Sequence, residues 1–275
     1  MKAPVTTTLH YSVVHTGGSG APLLTMHGLS FDHTYFRPWL DRLGSGRPIV
    51  YYDHRGNGRS NGHALNAKAM TLESFTADVD TLRRSLGFHR VTVLGHSGAA
   101  AIALSYARNY ASHAAGLILC DPVLSVGHIA SALDRVRPRC TPAQADAFDR
   151  AFAGTANDEE YGRLWRIVLP LYFHNHIAAM ADRVFSRTIF RADALTYFVQ
   201  NLAAGSDLEP VLASLDLPVL WLDGERDWLR RDDAAMVELR NCRYRLFAGS
   251  GHFPFVEEPE GFLGEISQWL NDQQR

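Results

Sequence analysis

The chain has 275 residues, 46% of them hydrophobic, 20% charged and 11% aromatic, which fits one fairly large globular domain, or one with a sizeable insertion, and excludes a disordered or fibrous chain. Its formal net charge of -2 and the absence of any dense Lys/Arg run argue against nucleic acid as a partner. Its most apolar stretches, AGLILC and LPVLWL, are too short to span a bilayer. The N-terminal MKAPVTTTLHYS has one lysine and no apolar run after it, so no secretory signal is expected. Cys120, Cys140 and Cys242 form no C-x-x-C pair and suit a reducing compartment, so a cytoplasmic protein without membrane contact is expected. Nothing in the pattern selects a monomer over a homo-oligomer.

In chain order, residues 7–15 alternate weakly and read as an outer strand. Short apolar runs follow at 23–26, ending on His27-Gly28, and at 48–52, ending on Asp53. Residues 71–86 place Leu72, Phe75, Val79, Leu82 and Leu86 at spacings of three and four, which predicts an amphipathic helix stopped by Gly87. A strand at 91–94, the turn Gly95-His96-Ser97-Gly98 and an Ala-rich helix come next. Residues 117–120, 218–222 and 244–247 read as further strands, and 259–270 as a closing helix. Short apolar strands alternating with helices predict an α/β fold with a mostly parallel sheet covered on both faces.

Residues 124–210 break the alternation. They carry helical patterns at 142–152, 159–168, 177–184 and 192–204 and no strand signal. Roughly 85 residues far exceed an ordinary crossover. A core of 1–123 and 211–275 with a helical cap of 124–210 inserted over the sheet edge is therefore expected.

The chemistry concentrates at strand ends. Gly95-His96-Ser97-Gly98-Ala99 sits between a buried strand and a helix, where a serine on a sharp turn projects its hydroxyl off the sheet edge. The small residues Gly95 and Ala99 let strand and helix approach. Acyl transfer by serine also needs a base, a carboxylate to orient it and donors for the oxyanion. His252 follows the last strand as the candidate base. Asp227, after the strand at 218–222, is the candidate acid, with Asp121 after the preceding strand as its rival. The backbone amides of Leu29 and Gly98 are the candidate oxyanion donors. His27, Phe31, His96, Trp165, Tyr172, Trp228 and Phe253 are candidate pocket residues, and Asp32 and His33 share the stretch of Phe31.

With these residues in view, the chain resembles the α/β-hydrolase superfamily over essentially its whole length, and within it the proline iminopeptidase-like hydrolases. The run Asp53-His54-Arg55-Gly56-Asn57-Gly58-Arg59-Ser60, the turn at 95–98, Gly224-Glu225-Arg226-Asp227 and Gly251-His252-Phe253-Pro254 carry the resemblance. It implies a Ser97–Asp227–His252 triad, a helical lid and no cofactor or metal. Two departures count against peptidase action. The oxyanion loop reads His27-Gly28-Leu29-Ser30-Phe31 without a Gly-Gly-Pro-Gly stretch, and residues 169–174 hold no carboxylate. A substrate's free ammonium group would need Asp158, Glu159 or Glu160. The expected activity is hydrolysis of a small-molecule ester or amide through an acyl-enzyme. The alternatives are an aminopeptidase on short peptides, a cofactorless lyase or carbon–carbon hydrolase, and a non-enzymatic receptor for a small ligand.

Overall fold

The computed structural model describes residues 9–60, 66, 68–154, 157–175, 178–205, 208–231 and 241–273. Its strands are β1 (Tyr11–Val14), β2 (Leu23–Met26), β3 (Ile49–Tyr52), β4 (Val91–His96), β5 (Ala114–Cys120), β6 (Val219–Gly224) and β7 (Cys242–Phe247). They form one sheet in the order β1-β3-β2-β4-β5-β6-β7. Only the β1–β3 pair is antiparallel, and every other pair runs parallel.

Period-2 alternation divides the strand residues between two apolar layers. Leu94, Ile118 and Leu220 belong to one cluster, with the side chains of α9 (Pro259–Asp272). Val93, Leu117, Leu119 and Trp221 belong to the other, with α1 (Leu72–Ser85) and α2 (Ala99–Asn109). Helix α1 starts where Thr71 caps the Ser74 N–H, and its buried Phe75, Val79 and Leu82 are the face the spacing required. The strands at 23–26 and the helix at 71–86 fall where the sequence places them. Of the proposed outer strand, only Tyr11–Val14 is extended, and residues 7 and 8 lie outside the described residues.

Between β5 and β6 run α3 (Val126–Val136), α4 (Pro142–Phe152), α5 (Asp158–Val168), α6 (Ala178–Phe185), α7 (Ala192–Gly205) and α8 (Glu209–Ala213), with no strand among the described residues. Thr141 and Gln144 close a capping box on α4. This helical segment is tied to the ends of the strands. Tyr172 O accepts the His252 N–H at 2.7 Å, and Ser30 O accepts that of Arg191 at 3.0 Å. Asp32 accepts the Ile189 N–H at 3.1 Å, and Glu257 accepts those of His174 and Asn175 at 2.9 and 3.0 Å.

Candidate active site

The turn after β4 is a tight strand-to-helix corner. Ser97 has φ 56°, in the left-handed region that costs a non-glycine residue about 1 kcal/mol or more. Two hydrogen bonds hold it there, from Ser97 N to Cys120 O (3.0 Å) and from Val123 N to Ser97 O (3.1 Å). The close approach of β4 and α2 explains Gly95: a Cβ there would lie 2.7 Å from both Ala100 Cα and Ala99 O.

His252 lines the same cavity as Ser97, and its Nδ1 lies 2.7 Å from Asp227 Oδ2, both residues being buried. The second Asp227 oxygen accepts the Leu229 N–H at 3.0 Å. The carboxylate therefore fixes the imidazole with Nδ1–H toward itself and leaves Nε2 as the basic nitrogen. Asp121 is the nearest competitor. One oxygen or nitrogen each of Asp121, Asp227 and His252 lies within 4.8 Å of the others. Asp121 Oδ1 accepts the Gly224 N–H at 2.8 Å, and no His252 bond to it exists among the described residues. Burial, then the neighbouring Asp227 and Asp223, push the Asp121 carboxyl well above the usual carboxylate range. Burial likewise lifts Asp223, bonded to Trp221 Nε1 and Tyr244 Oη, to about 7. Crowded buried carboxyls cannot all ionise, and the ring-facing oxygen belongs to Asp227.

Leu29 and Gly98 line the cavity beside Ser97 and His252. A Cβ on Gly98 would lie 3.7 Å from Leu29 Cδ2, so the Leu29 side chain packs beside Gly98. Neither N–H has an acceptor among the described residues. Two amides without an acceptor on the wall of the cavity that Ser97 also lines are the kind of donor an oxyanion hole requires.

Six of the seven proposed pocket residues line this cavity: Phe31, His96, Trp165, Tyr172, Trp228 and Phe253. His27 does not. It is fully buried behind the loop, with Nδ1 against Gly28 O (2.8 Å) and Nε2 accepting the His54 N–H (3.2 Å). Asp32 and His33 are also elsewhere, spent on Thr34, Ile189 and Asp53. Sequence reasoning missed Tyr35, Val123, Ile129, Phe152, Leu195, Val199 and Leu229, which also line the cavity. Tyr35 lies in a short 3-10 turn (His33–Phe36) that carries no periodic signal.

The lining has no carboxylate-bearing side chain among the described residues. The three acids nominated for a substrate ammonium are paired elsewhere: Asp158 with Arg191 (2.7 Å), Glu159 with Arg163 (2.8 Å) and Glu160 with Arg150. Three sets of His, Cys and Asp donor atoms converge among the described residues, His10/His33/Asp53, His96/Cys120/Asp121 and Asp121/Asp227/His252. In each, imidazole nitrogens are already bonded to protein: His33 to Asp53, His96 to Tyr35 and the His252 carbonyl, His252 to Asp227.

A family profile described as alpha/beta hydrolase fold matches residues 21–259. The chain is 28% identical to the proline iminopeptidase of Lactobacillus delbrueckii subsp. lactis, over 92% of this chain and 91% of that one. It is 23% identical to the proline iminopeptidase of Heyndrickxia coagulans, over 92% of both. Among solved structures, a thermophilic esterase from Thermogutta terrifontis superposes with a TM-score of 0.75 at 21% identity, over 97% of this chain and 94% of that one.

Proposed function

The chain belongs to the α/β hydrolase fold family, and on that premise we propose that it is a serine hydrolase that cleaves a small, apolar ester or amide through an acyl-enzyme. The observation that carries this reading is the buried 2.7 Å Asp227–His252 bond sharing one cavity with the strained Ser97 and two unspent N–H groups. Ser97 Oγ attacks the carbonyl carbon while His252 Nε2 takes its proton, and Asp227 stabilises the imidazolium. The Leu29 and Gly98 amides hold the oxyanion. Collapse of the tetrahedral intermediate expels the leaving group, which takes the proton from His252. Water, deprotonated by His252, then attacks the acyl-enzyme and releases the acid and free Ser97.

The lining argues for neutral, apolar acyl groups. Phe31, Trp165, Tyr172, Phe198 and Phe253 surround the site, and a free α-ammonium there would be desolvated without a counter-charge. Residues 124–210 serve as the cap that supplies Trp165, Tyr172 and Phe198 to this wall, over a core of 1–123 and 211–275. The three cysteines, all free thiols, suit the cytoplasm as its place of action. The aminopeptidase reading stands second, favoured by the names of the relatives.

A panel of an aryl butyrate, an aromatic lactone and a proline aryl-amide with a free amino group tests the proposal on wild type and Ser97→Ala. Turnover of ester or lactone, lost in the variant, is expected. Preference for the proline amide by tenfold or more overturns the apolar-ester reading in favour of the peptidase.

A further inference from the structure

Tyr35, His96 and the backbone of His252 form a chain of hydrogen bonds in which every proton has one permitted direction. His96 Nε2 is 2.8 Å from the His252 carbonyl oxygen. A carbonyl only accepts, so Nε2 carries the ring proton and Nδ1 is bare. That Nδ1 is 2.8 Å from Tyr35 Oη, so the phenol is the donor. The lone pair left on Oη accepts the N–H of Gly28. Burial holds His96 well below and Tyr35 well above their ordinary pKa values, so neither changes charge near neutrality.

The three anchored groups are the neighbours of the reacting ones. Gly28 precedes the Leu29 amide, His96 precedes Ser97, and the His252 carbonyl belongs to the base itself. They lie on two loops and at the last residue of β4, far apart in sequence, and the chain Gly28–Tyr35–His96–His252 crosses all three. From this geometry, and resting on the serine-hydrolase reading above, we infer that Tyr35 and His96 are positioning residues that hold the Leu29 amide, Ser97 and the His252 imidazole in mutual register. Packing alone is the competing account, because Tyr35 also stacks on Phe255 (5.9 Å) and His96 packs on Phe253 (5.4 Å). Tyr35→Phe separates the two, since it keeps the ring and deletes only Oη.

The relay predicts that Tyr35→Phe lowers kcat by about 10- to 100-fold with KM within about twofold, because a small misplacement of reacting groups costs up to about two decades of rate. Affinity for an aryl boronic acid, which forms a tetrahedral adduct at the serine, falls by the same factor as kcat/KM. His96→Asn can keep an acceptor for Tyr35 in place of Nδ1 but removes the Nε2–H bond to the His252 carbonyl, which breaks the same chain one link further on, so the double variant loses much less than the product of the two single losses. Nitrogen-15 imidazole spectra give a readout that needs no turnover. In the wild type His96 shows a protonated Nε2 and a bare, hydrogen-bonded Nδ1, and Tyr35→Phe shifts both the His96 Nδ1 and the His252 signals. A wild-type rate in Tyr35→Phe, multiplicative losses in the double variant, or His252 signals unmoved by Tyr35→Phe would each overturn the relay. Lack of ester turnover by a wild type that shows the imidazole signature would instead overturn the hydrolase reading and leave the hydrogen-bonded chain standing. If Tyr35→Phe does not fold, His96→Asn alone carries the test through the same kcat loss and His252 shift.

Discussion

Replacing the two rival acids one at a time separates them by orders of magnitude. In Asp227→Asn the carboxylate that accepts from His252 Nδ1 at 2.7 Å becomes an amide. If the amide turns its N–H toward the ring, Nδ1 must be bare and the proton sits on Nε2, where it blocks the general base. His252 and Asp227 are only 3% and 6% exposed, so water cannot take the carboxylate's place. The loss of kcat should approach about 10⁴-fold, or about 5.5 kcal/mol of barrier, as for a triad histidine held in the wrong tautomer. Asp121→Asn should behave quite differently. Burial, Asp227 and Asp223 push its carboxyl toward the neutral form, and an amide oxygen can accept the Gly224 N–H that the carboxyl accepts at 2.8 Å in the wild type. A change of less than about threefold is expected, since an isosteric neutral group leaves the hydrogen bond in place. Steady-state hydrolysis of an aryl butyrate, with melting temperatures alongside, measures both. A 10³-fold loss in Asp121→Asn with a mild effect in Asp227→Asn would reverse the assignment.

Two stability effects follow from the same packing. Gly95→Ala puts a methyl group 2.7 Å from Ala100 Cα and Ala99 O, so urea unfolding should show a loss of about 2–3 kcal/mol, typical of overpacking against backbone; an unmoved midpoint contradicts the close-packed corner. His54 is buried beside His27 and is held well below the ordinary histidine pKa by desolvation. Below pH 6.5 the unfolded chain takes up a proton there that the folded chain does not, so stability falls on acidification. His54→Gln removes that term. Between pH 6 and pH 5 the variant should lose less stability than the wild type, by up to about 1.2 kcal/mol, the full proton uptake of an unfolded histidine. Comparing the two proteins cancels the opposing contribution of Asp121 and Asp223, whose raised values favour the folded state in acid. Parallel stability curves would show His54 titrating normally.

Much of this was legible in the sequence because it is local. Ser97 is announced by small residues between a strand and an Ala-rich helix. His252 and Asp227 are announced by their positions just past strand ends, and the bounds of α4 (Pro142–Phe152) follow from its Thr141 cap and apolar spacing. Helix α3 carries a similar signal, Ser125 capping the His128 N–H ahead of Ile129, Ala132 and Val136, and lies outside the four helical patterns read between residues 124 and 210. Other features are not local. The burial of His27 depends on His54, which is 27 residues away. The reach of Tyr35 to His96 spans 61 residues, and a 3-10 turn gives no periodicity to read. The sequence could nominate Asp158, Glu159 and Glu160 for a substrate's amino group; Glu159 and Arg163 are an i,i+4 pair within α5, but the commitment of Asp158 to Arg191 and of Glu160 to Arg150 appears only once the chain packs.

The central claim is that Ser97 is the nucleophile of an acyl-enzyme. Intact-mass and peptide mapping after treatment with an alkyl fluorophosphonate tests it most directly, because the reagent requires an activated serine and no knowledge of the substrate. One adduct, mapped to Ser97, absent from a folded Ser97→Ala variant and strongly slowed in Asp227→Asn, is the predicted result. An unlabelled wild type, or an adduct on another residue that persists in Ser97→Ala, would contradict it.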